Sequence, residues 1–214
     1  MSSSTLVRLS GAAAIFAGVL LVAADLLSPT HLFFPLGFQS FSEPTTVTSA
    51  PLYYPLQSKI DLLAAVLLLG GSIGLYARQV QAAGLLGLAG FLVAFLGTAL
   101  VVGFLWANAF IVPSFTAEMP ELVEAPELLA GVPPPGFYLS LGTFAVGWGM
   151  FGVATLRAGI YPRTAAVLLV IGAIINLLPV PFLGSVFAVA VVWMGINLFT
   201  ERAAAPDEQP QRAR

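Results

Sequence analysis

The chain has no cysteine, one histidine and one lysine. The absence of cysteine excludes disulfides, thiolate metal sites and cysteine nucleophiles. His31 alone cannot supply a haem held by two histidines or a zinc site with several histidines, and Lys59 alone argues against a polybasic lipid-binding patch. We therefore expect no cofactor, no metal and no nucleic-acid partner.

Charged residues are also scarce. They make up 8% of the 214 residues and hydrophobic residues make up 58%, whereas about 25% of a soluble domain is charged. Six apolar runs cover approximately residues 9–27, 60–77, 82–110, 138–156, 164–180 and 184–200. The first four reach or approach the length of about 20 residues that a transmembrane helix needs, and alternating segments typical of a membrane β-barrel are absent. The composition predicts an all-α, polytopic transmembrane bundle of six helices.

The arginines are distributed asymmetrically between the polar segments that separate these runs. All of them fall in the first, third, fifth and seventh segments: Arg8, Arg78, Arg157, Arg163, Arg202, Arg212 and Arg214. Cytoplasmic segments are enriched in arginine and lysine, so the pattern predicts six crossings of the cell membrane with both termini in the cytoplasm. We expect one membrane domain over residues 1–200, outer loops at 28–57 and 111–137, and a disordered cytoplasmic tail at 201–214.

The number of crossings has two alternatives. Arg8 followed by the apolar stretch 11–24 is similar to a secretory signal, and its cleavage would leave five crossings. Asp25-Leu-Leu prolongs the apolar stretch and favours an uncleaved helix. The last two runs would each be only about 25 Å long and are joined by a Pro- and Gly-containing turn at 179–184, so they either cross as a hairpin or form a re-entrant pair.

Small residues recur at helical spacing in two of the runs. Gly87, Gly90, Ala94 and Gly97 form one stripe, and Gly142, Ala145, Gly149 and Gly152 form another. Such stripes predict close contact between helices. The segment 147–152 also fits the glycine pattern of a dinucleotide-binding fingerprint, but it lacks the preceding strand that this motif requires. We therefore interpret it as a helix-packing segment.

Ionisable residues near the membrane are the first candidates for a functional site. Asp25, Lys59 and Asp61 lie close to the predicted outer interface. Ser58-Lys-Ile-Asp61 fits a capping box at the start of the second helix, which would explain Asp61. Asp25 lies near the C-terminal end of the first helix, where the helix dipole disfavours an anion. We predict that Asp25 contacts Lys59, either as a structural pair or as part of a substrate or proton site.

Two asparagines, Asn108 and Asn176, also fall in the predicted outer half of the bundle, where we place any ligand or ion site. The second outer loop carries four carboxylates, Glu118, Glu121, Glu124 and Glu127. Its prolines and apolar residues favour an amphipathic surface lid, and a cation-attracting mouth is the alternative. His31 lies in an aromatic outer loop and is interpreted as an interfacial side chain, with a ligand or pH-sensing role as the alternative.

Three stretches carry a resemblance to other proteins: 74–91, 106–113 and 151–163. Through them the chain resembles small multipass bacterial membrane proteins of unknown function. The resemblance covers the middle of the chain and implies an integral membrane protein without an assigned activity. It supplies no catalytic residues.

Three classes of function remain. The scarcity of polar residues in the runs favours a non-catalytic membrane component that works with the lipid bilayer and with a membrane-protein partner or a second copy of itself. A small transporter, channel or lipophilic-ligand binder would need a cavity that reaches Asp25 or Asn176. An intramembrane enzyme, the least favoured class, would have to use carboxylates and His31.

Overall fold

The computed structural model describes residues 3–27, 53–118, 135–177 and 184–200, and the regular secondary structure within these ranges is helical. The helices are α1 (Ser3–Leu27), α2 (Tyr53–Trp106), a π-helical segment (Ala107–Ile111), α3 (Val112–Glu118), α4 (Pro135–Ala158), α5 (Arg163–Ile175) and α6 (Gly184–Thr200). The predicted outer loops are therefore shorter than expected, because residues 53–57 and 112–118 are helical. The predicted tail at 201–214 lies outside these ranges.

Three helical segments are long and apolar enough to cross a membrane: Thr5–Leu27, Pro55–Ser114 and Gly136–Ala158. α5 and α6 are apolar but shorter, with 13 and 17 residues. At about 1.5 Å per residue α5 is about 20 Å long, less than a hydrocarbon core of about 30 Å. The described helices therefore fit a membrane-associated helical protein, whereas the six crossings and the cytoplasmic termini stay predictions.

α2 consists of two helices that run in opposite directions. Gly84 interrupts the helix with φ 58° and ψ −157°, a conformation that glycine adopts without steric cost because it lacks a Cβ. The rings of Tyr76 and Phe91 stack across this turn with centroids 4.5 Å apart, although fifteen residues of straight helix would separate them by about 22 Å. The polar segment between the runs at 60–77 and 82–110 is thus helical, and the turn between the two helices lies at Gly84.

The helices pack in a ring in which α1 contacts α2 and α6, α2 contacts α4, and α5 joins α4 to α6. α1 and α6 are antiparallel, since Arg8 lies 5.4 Å from the centre of the Phe199 ring and Asp25 bonds to Ser185. We call the end of the bundle with Arg8, Arg78, Arg157 and Arg163 the arginine end, and the opposite end the aspartate end. Trp148, Phe151 and Phe187 fill the centre, each at most 1% exposed.

The two glycine stripes have different environments. The stripe on the second half of α2 faces α4 as predicted: a Cβ on Gly90 would lie 2.6 Å from the Phe151 nitrogen, and a Cβ on Gly97 would collide with the backbone of Phe144. The stripe on α4 packs only in part. Gly152 faces Val170 of α5, but a Cβ on Gly142 or Gly149 would meet open space.

The glycine that brings α4 closest to α2 is Gly147, which belongs to neither predicted stripe. A Cβ at this position would collide with the backbone of Ala94. Gly147 opens the segment that fits the dinucleotide fingerprint, and it lies in the interior of α4. Its contact with Ala94 supports the interpretation of this segment as a packing element.

Candidate functional site

Asp25 at the aspartate end contacts the first turn of α6. Its Oδ2 accepts a hydrogen bond of 2.8 Å from the Ser185 hydroxyl, and α6 begins at Gly184. The N-terminus of a helix carries a partial positive charge that stabilises an anion. The unfavourable position of Asp25 at the C-terminal end of α1 is thus offset by its favourable position at the N-terminal start of α6. The contact between Asp25 and α6 was not predicted from the sequence.

Asp61 lies within α2 and does not cap it. Because α2 begins at Tyr53, Ser58 and Asp61 are in its second and third turns, and the predicted capping box is wrong. The Asp61 carboxylate instead accepts a hydrogen bond from the Gln57 side chain and lies within electrostatic range of Asp25. The two carboxylates, from α1 and α2, therefore lie at the same end of the bundle.

Asn176 joins this group from the end of α5. A Cβ on Gly184 would lie 3.3 Å from the Asn176 Oδ1 and 3.7 Å from the Asp25 Oδ2. The amide oxygen and the carboxylate are therefore close neighbours beside Gly184. We call Asp25, Asp61, Asn176 and Ser185 the aspartate-end cluster. Of the predicted candidates, Asp25 and Asn176 are brought together by the fold.

The structure places Lys59, the predicted partner of Asp25, beside Phe110. The lysine side chain is exposed, and its Nζ lies 5.9 Å from the centre of the Phe110 ring. Asp61 is the α2 residue within electrostatic range of Asp25. Because Lys59 precedes Asp61 by two residues, its side chain points about 200° away from Asp61 around the helix.

Asn108 lies in the π-helical segment and is 8% exposed. A π turn inserts an extra residue into a helix and often marks a functional site. Phe110, whose ring lies near the Lys59 Nζ, belongs to the same segment. The π geometry has no signal in the sequence, because Ala-Asn-Ala-Phe-Ile is as compatible with an ordinary helix.

The acidic outer loop is described only at its start. Glu118 is exposed at the end of α3, whereas Glu121, Glu124 and Glu127 lie outside the described residues, as does His31. Among the residues that the structure describes, no three His, Cys, Asp or Glu side chains converge to hold a metal ion. The aspartate-end cluster offers two carboxylates, an amide and a hydroxyl, which could bind a proton or a small cation.

A second set of polar contacts, which sequence reasoning missed, joins α4 to α2. The Trp148 Nε1 donates to the Thr98 hydroxyl at 3.0 Å, and the Gln79 Nε2 donates to the Thr155 hydroxyl at 3.0 Å. Each threonine in turn donates to a carbonyl of its own helix, Thr98 to Ala94 and Thr155 to Phe151. These buried contacts fix the two helices against each other.

The turn between α4 and α5 is attached to the arginine end of α2. The Tyr161 hydroxyl donates to the Leu75 carbonyl at 3.2 Å, and the Arg78 guanidinium lies 4.9 Å from the centre of the Tyr161 ring. Tyr161 is 3% exposed. A tyrosine whose hydroxyl finds a partner when buried is a structural anchor, so this contact holds the α4–α5 turn in place.

Comparisons with known proteins give no match to this chain. No protein-family model matches it, and neither a curated protein nor a solved structure does. The resemblance to small bacterial membrane proteins therefore stays a prediction, and the function has to be argued from the packing and the polar groups themselves.

Proposed function

We propose that this protein is a non-catalytic component of the cell membrane, anchored by several helices with the arginine end towards the cytoplasm. The supporting observation is the use of polar side chains between helices. Thr98, Thr155 and Ser185 each take part in a hydrogen bond that joins one helix to another. In membranes such bonds between helices stabilise association, and polar groups used in this way are not available to a substrate.

The packing of the centre also supports a structural role. Trp148 contacts both Phe151 and Phe187 with ring centroids 5.6 Å and 5.2 Å apart. These three large side chains fill the region where a midplane site of a transporter would lie. We therefore expect the protein to act through its surface, in contact with lipid and with a membrane-protein partner or a second copy of the chain.

Orientation can be tested with single cysteines, since the chain has none of its own. Glu118→Cys and Gln81→Cys place exposed thiols at opposite ends of the bundle. In intact cells a membrane-impermeant maleimide should label Glu118→Cys, and Gln81→Cys only after the membrane is opened. The reverse pattern would contradict the proposed orientation.

The role as a component can be tested on the full-length protein. When it is extracted from its native membrane in a mild detergent, we expect a complex of fixed stoichiometry, measured by light scattering coupled to size-exclusion chromatography. The complex should contain a membrane-protein partner or a second copy of the chain. A protein that stays a monomer, both after cross-linking in the membrane and after extraction, would contradict the proposal.

A second candidate function is transport linked to a proton or small cation at the aspartate-end cluster. The observation that favours it is the gathering of polar groups at one end of the bundle, where Asp25 accepts from Ser185 and lies near Asn176 beside Gly184. Carboxylate, amide and hydroxyl oxygens are ligands that a small hard cation accepts. Ionisable residues within membrane helices are commonly part of such pathways.

Flux measurements separate the two functions. Full-length protein is reconstituted in vesicles that contain a pH-sensitive dye, and a proton or sodium gradient is imposed. Transport predicts a flux that Asp61→Asn abolishes and that Glu118→Gln, at an exposed carboxylate, preserves. If the wild-type protein gives the same leak as empty vesicles, the second candidate is excluded and the first is unaffected.

A further inference from the structure

An open groove lies on the surface of the bundle where α4 and α5 meet the second half of α2. Its volume is about 490 Å³, and its lining includes Leu86 of α2, Ala145 and Gly149 of α4, and Val170 and Leu177 on the α5 side. The lining residues are apolar with the exception of Arg157. The groove is separate from the aspartate-end cluster and shares no residue with it.

The groove is shorter than a bilayer is thick. Along α4 it extends from Ala145 to Arg157, and twelve residues of helix correspond to about 18 Å. That is less than a hydrocarbon core of about 30 Å. A transmembrane helix from a partner would require a contact face along the full thickness, so the dimensions favour an acyl chain that enters from one side.

The one charged residue of the groove lining indicates the side from which an acyl chain would enter. Arg157 lies in the last turn of α4 at the arginine end, and its side chain is exposed. An arginine at this position extends to the membrane surface, where its planar guanidinium can donate two hydrogen bonds to a phosphate. An apolar groove that ends in a guanidinium complements a lipid with an apolar chain and an anionic headgroup.

We propose that this groove binds one acyl chain of an anionic phospholipid from the leaflet at the arginine end, with the headgroup phosphate on Arg157. Gly149 keeps the groove open, because a Cβ at this position would meet no atom within 4 Å. A larger side chain there fills the groove without disturbing the packing of α4. Binding of this lipid is independent of whether the protein has a partner.

Native mass spectrometry of the full-length protein tests this site. The protein is held in detergent micelles doped with equal amounts of phosphatidylglycerol and phosphatidylcholine that carry the same two acyl chains, and the retained lipids are counted. We expect phosphatidylglycerol to be retained about tenfold more than phosphatidylcholine, because the choline cation of phosphatidylcholine offsets the attraction of its phosphate to Arg157. Equal retention of both lipids would overturn the proposal.

Two pairs of variants test binding of the acyl chain and binding of the headgroup separately. Gly149→Leu should reduce the retention of phosphatidylglycerol about tenfold, whereas Gly142→Leu, which also extends into open space on α4 but outside the groove, should leave it unchanged. Arg157→Gln should remove the preference for the anionic lipid. Arg163→Gln, an exposed arginine that does not line the groove, should preserve it.

The other outcomes of these variant measurements also test the proposed lipid site. Unchanged lipid retention in Gly149→Leu would overturn the proposal, and a change from dimer to monomer in that variant would identify the groove as a docking face for a second copy. Arg157→Gln keeps the test available if Gly149→Leu does not fold, because the exposed guanidinium is not part of the packed core. A preference for phosphatidylglycerol that survives Arg157→Gln would also contradict the proposed site.

Discussion

The two sides of α4 both carry glycines, yet one side is closed and the other is open. On the side of α2, Gly147 lies against the backbone of Ala94, and Gly90 of α2 lies against Phe151. On the side of the groove, Gly142 and Gly149 face open space. Small residues therefore permit close approach between helices but do not produce it, since the shape and position of the neighbouring helix decide whether the space is used.

The largest expected effect is at Gly147. Gly147→Leu would place a side chain against the Ala94 backbone, which cannot move aside without separating α2 from α4. We expect a loss of about 3 kcal/mol or more in the free energy of unfolding, measured by titration with a denaturing detergent in mixed micelles. The control is Gly149→Leu, two residues away on the open side, and an equal loss in both variants would refute the comparison.

A second prediction compares two glycines whose added Cβ would meet an atom at the same distance. A Cβ on Gly90 would lie 2.6 Å from the Phe151 backbone nitrogen, and a Cβ on Gly152 would lie 2.6 Å from a methyl group of Val170. A side chain can change its rotamer, whereas the backbone of a packed helix cannot. Gly90→Ala should therefore destabilise by about 2 kcal/mol and Gly152→Ala by less than about 1 kcal/mol, in the same titration.

Loss of the hydrogen bond between Gln79 and Thr155, on the side of α4 that faces α2, should have a smaller effect on the free energy of unfolding. Thr155→Val keeps the shape of the side chain but removes the hydroxyl that accepts from Gln79, so the buried amide loses its partner. We expect a destabilisation of about 1 to 1.5 kcal/mol. Thr143→Val on the same helix is the control, at a partly buried position, and should have little effect. Combining Thr155→Val with Gln79→Leu should recover part of the loss, because both polar partners are then absent.

The smallest effect is expected at Gly142 on the open side. Gly142→Leu extends into space where no atom lies within 4 Å of an added Cβ, so the free energy of unfolding should change by less than about 0.5 kcal/mol. Thermal unfolding followed by loss of helical circular dichroism is sufficient to measure it. A strong destabilisation would mean that this side of α4 is covered, and the contrast between the two sides would no longer hold.

The sequence predicted much of the helical content and the grouping of the described arginines. The run at 184–200 coincides with α6, and Arg8 and Arg78 lie at one end because the apolar runs between charges have the lengths of membrane helices. Asp25 and Asp61 were both expected close to the outer interface, and they lie at the same end of the bundle. The depth of a residue in the membrane follows from the rise per residue of its helix, so it can be calculated from residue spacing along the chain.

The partners of those residues could not be predicted in the same way. Lys59 was expected opposite Asp25, but it is exposed near Phe110, and Asp61 is the α2 residue within electrostatic range of Asp25. The contact of Asp25 with Ser185 joins residues 160 positions apart. Rotation about a helix axis and the choice of neighbour depend on the whole packing arrangement.

Helical rise and hydrophobicity are properties of each segment, so apolar helices of membrane length, with arginine at one end and aspartate at the other, follow from the sequence alone. Which faces of those helices meet depends on the packing of the whole bundle. That packing places Asp25 at the start of α6, closes one side of α4 against α2, and leaves the other side open beside Arg157. These contacts have no signal in the sequence because, in an apolar environment, hydrophobicity does not distinguish a face that contacts a helix from a face that contacts lipid.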